Sequence, residues 1–82
     1  MKRILSGSEW RPVLNWVLTR GSQLLTCQVE QAGDQYLVSA LPQAAGKPIF
    51  LRRFDAGLEA FHTHAALVTD LRGHGWMLVE YR

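Results

Sequence analysis

Eighty-two residues make one domain, and 48% apolar with 20% charged residues excludes a disordered chain. The formal charge of +2, nine basic against seven acidic residues, does not by itself predict a nucleic-acid-binding protein, and the alkaline isoelectric point follows mainly from seven arginines. A single cysteine, Cys27, excludes an internal disulfide framework and cannot supply a zinc site alone.

The N-terminal "MKRILSGSEW" offers only Ile4 and Leu5 after its two basic residues, short of the roughly 7–15 apolar residues of a secretory segment. The apolar stretch "VLNWVL" is far below the ~20 residues that span a bilayer. A cytoplasmic protein with no membrane association is expected. Residues 1–9 read as a loose tail and 10–82 as a single α+β domain.

The first apolar segment is Pro12 to Arg20. Its β-branched Val13, Val17 and Thr19, with Leu14, Trp16 and Leu18 alternating between them, predict a strand. Pro12 at the first position of a short helix is the alternative. After a break at Gly21 and Ser22, "QLLTCQVEQ" alternates Leu25, Cys27 and Val29 against Thr26, Gln28 and Glu30, the pattern of a half-buried strand. The "AGD" turn, Ala32 to Asp34, returns the chain as "QYLVSAL", the second arm of a hairpin that Pro42 ends. In "KPIFLRRF", Pro48 marks a strand entry or a sheet edge.

Asp55 is placed to cap a helix from Ala56 to about Arg72, with Gly73 just past its end. At 100° per residue Leu58, Phe61, Ala65, Val68 and Leu71 share one arc, while Glu59, His62, Thr63, Ala66 and Asp70 lie opposite. A last strand runs from Trp76 to Tyr81. The expected architecture is therefore an antiparallel sheet of four or five strands with one long amphipathic helix on one face. The element order is β-β-β-β-α-β, or α-β-β-β-α-β if Pro12 opens a helix.

All three histidines, His62, His64 and His74, fall near the end of the chain. On a helix His62 and His64 point about 200° apart and cannot share a metal ion; the zinc-helix spacing is i,i+4. His64, at the edge of the apolar arc, is expected half-buried with one ring nitrogen bonded to a neighbour. His62 is expected in solvent and His74 in the turn after the helix. Cys27, alternating with Leu25 and Val29, is expected as a buried, inert thiol. No phosphate-loop, dinucleotide or convergent carboxylate pattern is present. No metal, cofactor or catalytic residue is therefore assigned.

One sheet face is left for a partner. With Cys27, Val29, Met77, Val79 and Tyr81 assigned to the helix side, the open face would carry Phe50, Arg52, Trp76 and Leu78, with Arg20, Lys47 and Arg53 nearby. Self-association or a protein partner is the first expectation for that surface. Single-stranded nucleic acid, with bases on the aromatics and phosphates on the arginines, is the second, and a small enzyme of unknown class the third.

Overall fold

The structure is a computed structural model that describes residues 9–44 and 46–81, Tyr81 by its backbone alone. The expected tail, apart from Glu9, lies outside the described residues. The elements are β1 (Arg11–Arg20), β2 (Gln23–Ala32), β3 (Gln35–Pro42), β4 (Phe50–Phe54), α1 (Gly57–Gly73) and β5 (Met77–Tyr81). They form a five-stranded sheet ordered β4-β3-β2-β1-β5, with every neighbouring pair antiparallel and α1 packed across β2, β3 and β4. The α+β class and the element order expected from the sequence are both present, and Pro12 lies inside a strand.

Two tight turns set the registers. Gly21 and Gly33 each take φ of +63°, and the residue after each keeps a negative φ, so both loops follow the II′ pattern that suits the right-handed twist of paired strands. From the second turn Ala32 faces Gln35, which brings Val29 opposite Val38 and Cys27 opposite Ala40. From the first, Leu18 faces Leu25, Trp16 faces Cys27 and Leu14 faces Val29. One face of three strands thus becomes continuously apolar.

β4 and β5 point the same way at opposite edges, so the chain must recross the sheet between them. Seventeen helical residues rise about 25 Å. The four inter-strand spacings amount to about 19 Å, so the helix makes that return while covering one face. Its last carbonyls are closed by the turn: the His74 and Trp76 N–H groups donate to the Leu71 carbonyl and that of Gly75 to Arg72. The left-handed residue is Gly75 (φ +95°), two places beyond the expected Gly73. At the other end the cap residue is Ala56, with no side-chain cap; Asp55 instead accepts a 2.8 Å hydrogen bond from the Gln35 side chain.

The helix is turned by about 75° from the expected arc. Ala60, His64 and Val68 are buried, Leu67 and Leu71 partly so, and Leu58, Phe61 and Ala65 are exposed. The sheet explains this. Its helix side supplies the bulk, with Trp16, Tyr36, Phe50 and Phe54, so the line of closest approach falls on the helix's smaller residues. The core is two adjoining clusters, Leu18, Leu25, Cys27, Ala40 and Val68 in one and Val29, Val38 and Ala60 in the other. Phe50 and Leu67 pack on both.

Candidate interaction surface

Phe50 pairs with Ala40 and Phe54 with Tyr36, so Phe50, Arg52 and Phe54 lie on the helix side, not on the open face expected for Phe50 and Arg52. Leu78 pairs with the buried Leu18, and Trp76 packs on the Leu18–Leu25 cluster, so these two also belong to the helix side. Met77, expected inside, stands opposite Thr19 on the open face, 67% exposed. In β4 the expected alternation holds with its phase relative to β2 reversed; in β5 the phase is reversed at Met77 and Leu78, and the expected alternation of Met77, Val79 and Tyr81 is broken at Val79. A long loop and a helix precede these strands, so no tight turn transmits the register, and a bulge at Val79 shifts it again. The expected inward placement of the Tyr81 side chain lies outside the described residues.

The open face consists of cross-strand rows. Leu51, Ser39, Gln28 and Asn15 form the middle row; Leu41, Thr26, Val17 and Glu80 form the next, followed by Leu24, Thr19 and Met77. Towards the β2–β3 turn lie Arg53, Leu37, Glu30 and Pro12. Hydroxyls and amides occupy the centre, with aliphatic side chains on either side. Ser39 is buried by its neighbours, and the Asn15 side-chain oxygen is buried with no hydrogen-bond partner among the described residues. Leu51 is 58% exposed. Trp10 reaches over this face to Arg53, whose guanidinium carbon sits 5.8 Å from the indole centre.

The remaining basic residues do not gather there. Arg20, at the end of β1, covers the Trp76 ring at 4.7 Å and donates to the His74 carbonyl at 3.1 Å. Arg52 lies over Phe54 at 5.3 Å on the sheet edge, and Lys47 is exposed in the β3–β4 loop. Arg52 and Arg53 point to opposite sides, as adjacent strand residues must.

β4 and the part of β1 beyond β5 resist pairing with another strand. β4 carries Arg52 and Arg53, and the half of β1 that β5 leaves uncovered carries Arg11, Pro12 and a bulge at Val13. Charge, a missing N–H and a bulge are the usual protections of a sheet edge.

Beneath the helix, His64 is 2% exposed and its Nε2–H donates to the Cys27 carbonyl at 3.2 Å. The bond goes to the backbone, not to the thiol, so no nucleophile–base pair forms. Burial pushes the Cys27 thiol up to about 11, the reverse of activation. Burial also lowers the His64 pKa below its ordinary 6.5, opposed by the bond to the Cys27 carbonyl. His62 is exposed, and His74 donates through Nδ1 to the Asp70 carbonyl at 2.8 Å, outside the helix's apolar side. No group of three potential metal ligands occurs among the described residues. None of their helices is long and apolar enough to cross a membrane.

No protein-family model, curated protein or solved structure matches the chain. Any functional reading therefore rests on the surface itself.

Proposed function

We propose that the protein is a non-catalytic interaction domain that associates with a second copy of itself through the open face of the sheet. The observation that carries this reading is the exposed aliphatic set Leu24, Leu41, Leu51 and Met77, held on a rigid sheet opposite the helix. The protected stretches of β4 and β1 make strand pairing there less favourable than association through the face.

Area and charge favour a second copy. Five strands at ~4.8 Å spacing over some eight residues present about 600 Å² per protomer, near the lower limit of a stable interface. Glu30 and Arg53 give the face both signs, which suits contact with itself better than a strongly charged partner.

Single-stranded nucleic acid remains the second reading, and the pairing of Trp10 with Arg53 on this face is what favours it. It ranks lower because Arg20, Arg52, Trp76 and Phe50, which it would use, lie elsewhere. Light scattering decides between them. Self-association predicts a mass near twice 9.3 kDa that reverts to the monomer in Leu51→Asp and is insensitive to moderate salt. A monomer that binds an oligonucleotide, with affinity falling steeply as salt rises, would reverse the ranking.

A further inference from the structure

Beyond that reading, the geometry points to a second site: a cleft at the turn end of the sheet that binds a small monocarboxylate with an apolar body. Three connections meet there, the β1–β2 turn, the β3–β4 loop and the α1–β5 turn. They enclose about 540 Å³, within the roughly 300–1,000 Å³ common for small-ligand sites. Leu25, fully buried, forms part of the base; Leu24, Pro42, Ile49 and Trp76 are apolar walls, and Arg20 stands beside Trp76.

Arg20 is held in place. Its guanidinium lies on the indole and one Nη1–H is fixed by the His74 carbonyl, which leaves most of its five donors for another acceptor. No carboxylate pairs with it among the described residues; Asp70, on the last helical turn, lies against His74. A guanidinium already stacked and tethered loses little freedom on forming a two-pronged bond to a carboxylate.

The charge of the ligand follows from the neighbourhood. One arginine matches one negative charge, and the nearby helix end is the C-terminal one. Its Leu71 and Arg72 carbonyls, although capped, give the negative end of the helix dipole. A phosphate or dicarboxylate would meet that field with too few donors, whereas a monocarboxylate with an aliphatic or aromatic tail meets one cation and an apolar wall.

Titration with octanoate, followed by the Trp76 indole signal in ¹⁵N–¹H spectra, tests the site. Octanoate is expected to shift that signal saturably, with 1-octanol and octyl phosphate each weaker by about tenfold. Arg20→Gln is expected to bring octanoate down to the affinity of octanol. Should that variant fail to fold, Ile49→Glu, at an exposed position, places a carboxylate in the cleft and is expected to abolish octanoate binding while leaving Arg20 intact. Equal binding of octanoate and octanol, indifference to both substitutions, or no saturable shift of Trp76 would overturn the proposal. Leu24 belongs to both surfaces, whereas Leu51 and Met77 lie outside the cleft, so the titration is repeated on Leu51→Asp. Octanoate binding retained by that variant separates this site from self-association, and binding lost with Leu51→Asp would overturn the proposal.

Discussion

On the helix side of the sheet Leu18, Leu25, Val29 and Val38 are closed from solvent and every described strand aromatic is on that side; on the other, Leu51 and Met77 stand more than half exposed among threonines, glutamines and a serine. The same five strands make both surfaces. The difference shows how alternation divides labour: large rings and close-packed aliphatics go where a helix can cover them, and mid-sized aliphatics separated by hydroxyls and amides go where the surface must stay soluble until a partner arrives. An interface of that kind is wet at its centre and reversible, unlike a second core.

Substitution should break the two faces unequally. Leu25→Ala, beneath the helix, is expected to cost about 2–5 kcal/mol in urea denaturation, from lost transfer energy and the cavity left behind. Leu51→Ala, on the open face, is expected to change the stability of the monomer by less than about 0.5 kcal/mol. Similar losses from the two would mean that the open face is covered by the chain itself.

Acid should also find the helix side first. The unfolded chain's imidazole takes a proton near the ordinary 6.5, whereas folded His64, desolvated by burial under the helix, resists protonation to lower pH even though the bond to the Cys27 carbonyl works in the opposite direction. The unfolded state therefore binds more protons in that interval. Stability from this group is complete above 6.5 and falls as the pH drops below it, until folded His64 itself titrates. His64→Leu should flatten that part of the urea-midpoint profile; an unchanged slope would assign the effect to other groups.

The smallest effect concerns Cys27. With its thiol raised from 9.0 to about 11, iodoacetamide should label the native protein only as fast as the helix lifts from the sheet. Mild urea should accelerate that labelling. Rapid labelling of the folded protein at neutral pH would show the helix side to be open.

The fold was legible where short-range rules act. Alternation around Leu25, Cys27 and Val29, and the glycines of two tight turns, determine three strands and their register. The helix was visible from its period, but not its rotation, because that depends on which partner carries the bulky rings. The side that β4 and β5 turn to the helix has no local signature for a related reason: their phase depends on a loop, a 17-residue helix and a bulge that no local pattern encodes. Leu51 could have been found from Ile49 and Leu51 alternating against two phenylalanines, since a lone helix covers the aromatic side first. The stacking of Arg20 on Trp76 joins residues 56 positions apart and has no local signature.

Amide and methyl spectra recorded from dilute to concentrated protein test the central claim most directly. Self-association through the open face predicts that shifts growing with concentration fall on Thr26, Leu41, Leu51 and Met77, while Ala60, His64 and Val68 stay fixed. Shifts confined to Leu58 and Phe61 on the helix, or to the β4 edge, would place association elsewhere; spectra that do not change with concentration would contradict self-association through this face.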